Sequence, residues 1–453
     1  MNSLINKYNV AGPRYTSYPT VPFWDNQSYS EVAWIDSLTT SFKETNRKDG
    51  ISLYIHLPYC ESMCTFCGCN KRITKNHDVE KPYIQAVLKE WELYINKFED
   101  KPIIAEIHLG GGTPSFFQPA MLALLINGIL KNATLAPKFE LGFEGHPNNT
   151  SFQHLQTLYD LGFRRVSFGV QDYDPSVQKA IHRFQPFENV KNVTEWSRTI
   201  GYESISHDLV FGLPFQNIAT IKDTIDKTLQ LSPDRLAFYS YAHVPWIKGN
   251  GQRGFNEQDL PSPDLKRSLY ETGREIFEYN NYVEIGMDHF ALKHDSLYKA
   301  MQSGMLNRNF MGYTTTQSKV LLGLGVSSIS DSWTGFSQNV KEIDSYLNAL
   351  KNNQLPLLKG HIATQEDVRV RKQILEIMCQ FATTWNDEDF TLDEQIVLKN
   401  NLSEFERDGI LSFDSNSLSV HEKGKPFVRN ICMAFDKRML REKTTTKLFS
   451  QVI

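Results

Sequence analysis

Six short runs of apolar and β-branched residues recur through the middle of the chain, each followed by a longer stretch with helical periodicity. Glycine, proline or polar residues bound each run, and this pattern predicts alternating strands and helices. The predicted strands cover residues 52–57, 103–109, 139–144, 165–170, 205–211 and 236–241. In the third intervening helix, Phe152, Leu155 and Tyr159 would share one face, with Gly162 just past the helix end.

Six strand–helix units in series favour a parallel sheet, because right-handed crossovers return each strand beside the previous one. We therefore expect an α/β fold whose sheet curls into a partial (β/α)6 barrel. Together with an extension that includes a helix over 265–282, this domain would cover residues 49–335, with a linker around 330–337.

The two ends of the chain show different patterns. Residues 1–48 form an arm in which Pro13 and Pro19 prevent a helix over residues 12–20, and we expect this arm to cross the domain surface as a strap. A lid whose Arg14 meets an acidic substrate is the alternative. Residues 336–453 predict helices over 368–381 and 392–408 and a strand pair over 409–413 and 417–420, which indicates a smaller, mostly helical, winged-helix-like cap domain.

Composition excludes several classes of protein. The chain of 453 residues is 40% hydrophobic and 22% charged, as in ordinary globular domains. A net charge of −4 argues against nucleic-acid binding, which uses a concentrated basic face. We predict neither a signal peptide nor a membrane span, because no apolar run is long enough. Clustered cysteines then favour the cytoplasm.

Four of the six cysteines lie within ten residues, directly after the first predicted strand. Cys60, Cys64 and Cys67 follow the order Cys-x3-Cys-x2-Cys, and Cys69 comes two residues later. Three thiolates on a short loop suit a [4Fe–4S] cluster, which would leave one iron open to an outside ligand. A structural zinc site, a disulfide pair and reduced bystander thiols remain alternatives on spacing alone.

Most of the other unusual motifs fall at the predicted carboxyl ends of the strands. They are Gly110–Thr113, Glu144, Gln171, Asp208 and the segment 239–243. In parallel α/β folds ligands gather at this end of the sheet, and consecutive glycines let the backbone approach a ligand closely. Together these residues indicate a polar cofactor site.

The cysteine motif after a first strand resembles that of the radical S-adenosylmethionine (SAM) enzymes. Cys69 and the Gly12–Thr20 segment narrow the resemblance to the oxygen-independent coproporphyrinogen III oxidases (dehydrogenases), and the similarity runs almost end to end. One departure is Glu144-Gly-His146-Pro, where the family has an acidic Glu-x-Asp-Pro form, so the surroundings of the ribose are expected to differ.

The resemblance implies a set of site residues. Cys60, Cys64 and Cys67 match the cluster ligands, whereas Cys69 matches a cysteine that does not bind the cluster. The family binds two SAM molecules, and its glycine run holds the methionine amino group. Positions around the cluster-bound SAM match Tyr54, Gly111, Glu144, Ala242 and Ile329. Positions around the second SAM match Phe66, Gly112, Thr113, Gln171, Arg183 and Asp208.

The resemblance also implies an activity. Such an oxidoreductase uses a 5′-deoxyadenosyl radical from SAM to convert two propionates of coproporphyrinogen III into vinyl groups, giving protoporphyrinogen IX for haem biosynthesis. It needs a protein that donates electrons, and we expect a monomer. Four propionates predict cationic partners, for which Arg14 and Arg183 are candidates. A haem-binding chaperone paralogue and another radical SAM enzyme, such as a methyltransferase, are the alternatives.

Overall fold

The computed structural model describes residues 2–244, 252, 254–442 and 449. The strands, numbered β1 to β19 in chain order, are Ile51–Leu57, Tyr59–Cys60, Arg72–Ile73, Ile103–Gly111, Thr134–Gly145, Arg165–Gln171, Ser204–Phe211, Arg235–Ser240, Tyr282–Gly286, His289–Leu292, Asn307–Asn309, Gly312–Thr314, Val320–Leu324, Ile329–Asp331, Gly335–Asn339, Leu357–Ile362, Ala382–Thr384, Leu411–Phe413 and Ser417–Val420. The helices, α1 to α15, are Asn2–Tyr8, Glu31–Asp49, Glu80–Ile95, Pro119–Lys131, Phe152–Asp160, Pro175–Ala180, Phe187–Ile200, Ile218–Gln230, Pro263–Tyr279, Ser296–Gln302, Ile343–Lys351, Gln365–Gln380, Leu392–Arg407, Val428–Phe435 and Lys437–Arg441.

The six predicted strands are confirmed as β1 and β4 to β8, which lie side by side in chain order and are all parallel. They form the centre of a twelve-stranded sheet with the order β16-β15-β14-β13-β1-β4-β5-β6-β7-β8-β10-β9. The predicted α/β class is confirmed. Parallel pairing brings the carboxyl ends of all six strands to one edge, so the motifs that follow them meet there. None of the described helices is both long enough and apolar enough to cross a bilayer.

The linker predicted over 330–337 is wrong, because most of it is strand. Residues 329–331 form β14 and β15 begins at Gly335; both pair in the main sheet, which continues into β16. Six of the eight residues of the predicted linker are serine, threonine, aspartate or glycine, so local propensity favours a loop. Burial between neighbouring strands overrides that propensity, since nearly every residue from 329 to 339 is buried.

Two predicted helices differ in detail. The helix predicted over 265–282 ends at Tyr279, because Asn281 takes a left-handed φ of 69° and Tyr282 begins β9. In α5, Phe152 is 43% exposed, and the buried face consists of His154, Leu155 and Leu158.

The two halves of the arm predicted over residues 1–48 pack against different cores. Its second half is α2, capped by Ser30, whose side chain accepts a hydrogen bond from the Ala33 amide. This helix buries Trp34 in the main core beneath the sheet. The first half does not lie on the surface as a strap, because Tyr15 and Tyr18 are buried in the core of the C-terminal region.

The C-terminal region matches its predicted pattern closely. The two helices are confirmed as α12 and α13, and the strand pair as β18 and β19, with β17 as a third antiparallel strand. Its apolar core includes residues of the first arm segment and of α1, so both ends of the chain pack together. The described chain therefore returns its N-terminus to the side of the barrel that carries the C-terminal region.

Candidate cofactor site

The cysteine loop is closed at its base by a short parallel ladder. Strand β2 contains Cys60 and pairs with β3, so residues 61–71 project as a loop from the end of β1. The Thr65 amide donates to the Ile181 carbonyl at 2.9 Å, and the Thr65 hydroxyl to the Ala180 carbonyl at 2.8 Å. These contacts attach the loop to the segment after α6, across the barrel mouth.

His56 holds the far side of the loop. It shares a strand face with Tyr54, whose hydroxyl lies 3.1 Å from Nδ1 of His56, while Nε2 lies 2.9 Å from the Asn70 carbonyl oxygen. Burial lowers the pKa of His56, so the ring is neutral and Nε2 can donate to that carbonyl while Nδ1 accepts from Tyr54. Strand alternation predicted the shared face of these two residues, but not the hydrogen bond to the loop.

The glycine run is needed because the chain is crowded at the end of β4. Gly111 has a φ of 118°, and an added Cβ would lie 2.9 Å from the His56 ring. At Gly112 a Cβ would lie 2.7 Å from the Pro58 carbonyl and 3.0 Å from Sγ of Cys60. Any side chain here would displace the cysteine loop, so these glycines let β4 approach it.

Eleven of the predicted site residues line one cavity of about 170 Å³ at the carboxyl ends of the strands. They are Cys60, Cys64, Phe66, Cys67, Gly111, Gly112, Thr113, Glu144, Gln171, Arg183 and Asp208. The other three lie outside its wall. Tyr54 packs beneath Gly110, Ala242 lines a neighbouring cavity, and Ile329 is buried beside Trp24 and Phe336.

Polar groups surround the three thiols. The Thr113 hydroxyl donates to Sγ of Cys60 at 3.2 Å, and Nη1 of Arg183 lies 3.7 Å from Sγ of Cys64. A hydrogen bond from Cys69 lowers the pKa of Cys67 to about 6, whereas burial raises the pKa of Cys60 to about 11. A metal would be needed to hold Cys60 as a thiolate at neutral pH, because coordination removes the proton outright.

Two carboxylates face the cavity from β5 and β7. Glu144 accepts from the Gly111 amide at 3.4 Å and lies 3.2 Å from Nε2 of His108. Asp208 accepts from the Ser167 hydroxyl at 2.8 Å, and burial raises the pKa of Asp208 to about 7. A cation placed between them would favour the ionised form of Asp208.

Sequence reasoning missed several polar side chains of the cavity wall, among them Lys71 and His146. Lys71 donates to the carbonyls of Cys67 and Cys69 at 3.2 and 3.4 Å and brings a positive charge to the thiols. His146, at the position where the sequence departs from the acidic form, also lines the cavity, and burial lowers its pKa well below the usual range. The departure therefore places a neutral ring where the family form carries a carboxylate.

These residues fit an iron–sulfur cluster with SAM. All six cysteines are free, so the disulfide alternative is wrong. The three thiols are spread around the cavity wall, and no three ligand-type side chains of the described residues converge on a single ion. Arg183 has a buried Nε without a hydrogen-bond partner in the described structure, which suits an anionic group of a bound molecule.

Comparison with known proteins defines the class first. Residues 54–228 match the sequence model of the Radical SAM superfamily, and this match contains the cysteine loop and the parallel strands β4 to β7. The protein is therefore a radical SAM protein, and a [4Fe–4S] cluster and SAM are the cofactors of that class.

Relatives identify the particular family. The chain is 40% identical over 444 residues to the oxygen-independent coproporphyrinogen III oxidase of Helicobacter pylori (strain J99 / ATCC 700824), covering 95% of both chains. It is 36% identical over 458 residues to that of Pseudomonas aeruginosa, covering 99% of this chain and 98% of the relative. The solved coproporphyrinogen III oxidase (HemN) of Escherichia coli, a radical SAM enzyme, superposes with a TM-score of 0.89 at 32% identity, covering 97% and 99%. The chain belongs to the oxygen-independent coproporphyrinogen III oxidase family.

Proposed function

We propose that this protein oxidatively decarboxylates two propionate side chains of coproporphyrinogen III to vinyl groups, giving protoporphyrinogen IX. One observation carries the proposal: three cysteines, a glycine run and two carboxylates from different strands line a single cavity. Relatives that carry this name are similar over 95% of this chain or more, so the similarity includes the whole barrel and the C-terminal region.

In this proposal Cys60, Cys64 and Cys67 hold the cluster, and Cys69 stays outside it. When bound, the cluster and SAM supply one-electron chemistry that can remove a hydrogen atom from an unactivated carbon. Such a carbon has no acidic proton, so no side chain of the cavity needs to act as a general base. The chain's own residues instead bind, orient and exclude water.

The carboxylates and glycines would orient SAM. The glycine run leaves space beside Gly111 and Gly112 without side-chain bulk, and on the resemblance it would hold the amino group of SAM. Asp208 and Glu144 bring negative charge towards a sulfonium cation, while Arg183 suits a carboxylate. Phe66, Thr113 and Gln171 complete the cavity wall; Tyr54, Ala242 and Ile329 are assigned to the site on the resemblance alone.

On the resemblance we further propose a second SAM molecule, a reducing protein as electron donor and a monomeric state. The clustered cysteines support a cytoplasmic location. We also keep residues 1–48, 49–335 and 336–453 as functional units. The structure qualifies these bounds, since α2 packs under the barrel sheet and β15 and β16 extend that sheet past residue 335.

The test is anaerobic. The protein is reconstituted with iron and sulfide, then given SAM, dithionite and coproporphyrinogen III, and 5′-deoxyadenosine and porphyrins are followed by mass. Both products should form with the unmodified protein and disappear in Cys64→Ser, which should also lose cluster absorbance. Cys69→Ser is the matched control, because an exposed cysteine outside the cluster should leave the iron content unchanged.

The alternatives give different results. Deoxyadenosine without decarboxylation would reject this substrate and favour another radical reaction, such as methyl transfer. Tight haem binding with no SAM cleavage would make the protein a carrier and contradict the enzymatic proposal.

A further inference from the structure

A second cavity, of about 580 Å³, lies where the barrel meets both ends of the chain. One wall follows the carboxyl ends of β7 and β8 and includes Phe211 and Tyr241. Arg14 of the N-terminal arm and Arg429 of α14 form the opposite wall. The volume is in the range of pockets that hold drug-sized ligands, roughly 300–1,000 Å³.

The cavity combines an aromatic wall with an excess of basic side chains. Five basic and three acidic residues line it. Most of these basic groups already have partners: Arg14 pairs with Asp288, and Arg429 donates to the carbonyls of Gly12 and Pro13. Arg267 pairs with Glu271, and Lys425 pairs with Glu422.

Lys266 differs from Arg14, Arg267 and Lys425, each of which binds a carboxylate. No carboxylate lies within ion-pair distance of it among the residues the structure describes, and its ammonium donates to the Tyr241 carbonyl at 2.8 Å. An ammonium has three donors, so two remain for a ligand. The lysine stem passes directly over Gly212, where an added Cβ would lie 2.8 Å from Cε, and this holds the amino group at the strand ends.

The electrostatic surroundings of Lys266 favour an anionic partner. Asp288 raises its pKa and Arg14 lowers it, but burial is the largest effect and lowers the pKa to about 8. A partly desolvated ammonium without a carboxylate gains more from a bound anion than an exposed lysine does.

The interior of the barrel connects this cavity to the cofactor site. The Arg14 guanidinium lies 6.0 Å from the centre of the Tyr239 ring. Tyr239 in turn lines an interior cavity of about 90 Å³ that also contains Glu144 and Asp208. A ligand bound in the larger cavity would therefore be separated from the groups that face the cofactors by Arg14, Tyr239 and this small interior cavity.

We propose that this cavity binds the macrocycle of the tetrapyrrole substrate and that Lys266 binds one of its propionate carboxylates. The inference rests on the proposed function and adds the location and anchoring residue of the substrate. An apolar macrocycle with carboxylates at its rim matches a cavity with an aromatic wall and a lysine whose described partner is a backbone carbonyl and not a carboxylate. The propionate that reacts would extend from the macrocycle towards the cofactor site.

The experiment compares Lys266→Met with the unmodified reconstituted enzyme. Losing a charge-assisted hydrogen bond should raise the KM for coproporphyrinogen III by about 10- to 100-fold. Lys266→Arg should recover most of the affinity. Formation of 5′-deoxyadenosine with SAM and dithionite, without porphyrinogen, should match the unmodified enzyme and show that the variant is folded and loaded.

A binding assay separates charge from packing. Fluorescence titration would compare coproporphyrin III with its tetramethyl ester, which lacks carboxylates. Lys266→Met should weaken binding of the free acid by the same factor and leave binding of the ester unchanged. Lys299→Met is the control, because Lys299 is exposed and lines a cavity at the other end of the barrel.

Each outcome decides the inference. An unchanged KM and affinity in Lys266→Met, or equal weakening for acid and ester, would overturn it while leaving the proposed function intact. A third outcome separates the two proposals. If Lys266→Met weakens binding of the free acid only, but the unmodified protein does not decarboxylate coproporphyrinogen III, the binding site is supported and the proposed function is overturned.

Discussion

The two ends of the barrel differ in whether their charged side chains have partners of opposite charge. At the amino end, two of the less exposed acidic side chains that line a cavity of about 750 Å³ have a basic partner: Glu140 binds Arg165 at 3.1 Å, and Asp295 binds Arg235 at 2.7 Å. At the carboxyl end, the cofactor cavity has about 170 Å³, and Asp208 and Arg183 have no partner of opposite charge among the described residues. These two carboxylates of the larger cavity are thus neutralised by the protein itself, whereas Asp208 and Arg183 of the smaller cavity remain available to a ligand.

This difference shows what marks a functional site in this fold. Burying a charge without a partner is unfavourable, so a chain keeps such groups only where something else compensates for them. Cavity volume does not identify the site. The charges that the protein leaves unpaired, together with the close approach of the backbone at Gly111 and Gly112, do so.

The largest expected effect is at the carboxyl end. In Gly112→Ala the new Cβ would lie 2.7 Å from the Pro58 carbonyl, so the cysteine loop must move. Displacement of reacting groups by roughly 1 Å can cost about 100-fold in rate, and we expect at least that loss in 5′-deoxyadenosine formation. Gly68→Ala is the matched control in the same loop, because nothing lies within 4 Å of its Cβ, and its rate should not change. Equal rates for both variants would contradict this account of the glycine run.

Breaking a buried ion pair at the amino end should lower the stability of the protein and not its activity. Arg235 binds Asp295 at 2.7 Å, and both side chains are buried. Arg235→Met leaves that carboxylate without its partner, which should lower the free energy of unfolding by about 3–5 kcal/mol, measured by denaturant titration. The activity of the folded fraction should stay unchanged. Lys227→Met, which breaks an exposed pair with Asp223, should cost less than about 1 kcal/mol. A loss of activity in folded Arg235→Met would remove the distinction between the two ends.

The third effect is smaller and depends on pH. Because burial raises the pKa of Asp208 to about 7, the cofactor-free folded protein binds a proton that the unfolded chain has already released. The contribution of Asp208 to stability is therefore favourable at low pH, falls between about pH 4 and 7, and is constant above that. As the pH rises through this window, the unfolding free energy of Asp208→Asn should increase relative to that of the unmodified protein by on the order of 2–4 kcal/mol. A pH-independent difference would show that Asp208 is ionised throughout.

Most of the fold could be predicted from local sequence patterns. The six parallel strands were predictable because each is a short buried run of period-two or continuous apolar residues, flanked by helix-forming stretches. The cysteine spacing and the polar residues after the strands were also readable, since chain order gives the order of parallel strands in such a sheet. Eleven of the fourteen predicted site residues therefore lie on one cavity wall.

Long-range packing decided the rest. The first arm segment enters the C-terminal core through Tyr15 and Tyr18, and β14 to β16 join the far edge of the sheet; neither can be seen in a local window. Lys266 reaches the second cavity because α9 packs its stem over Gly212, more than fifty residues earlier in the chain. Sequence alone determined which groups could carry out the chemistry, because periodicity and spacing are local properties. Only the tertiary structure decided which of their charges stay unpaired, because neutralisation depends on neighbours that are distant in sequence.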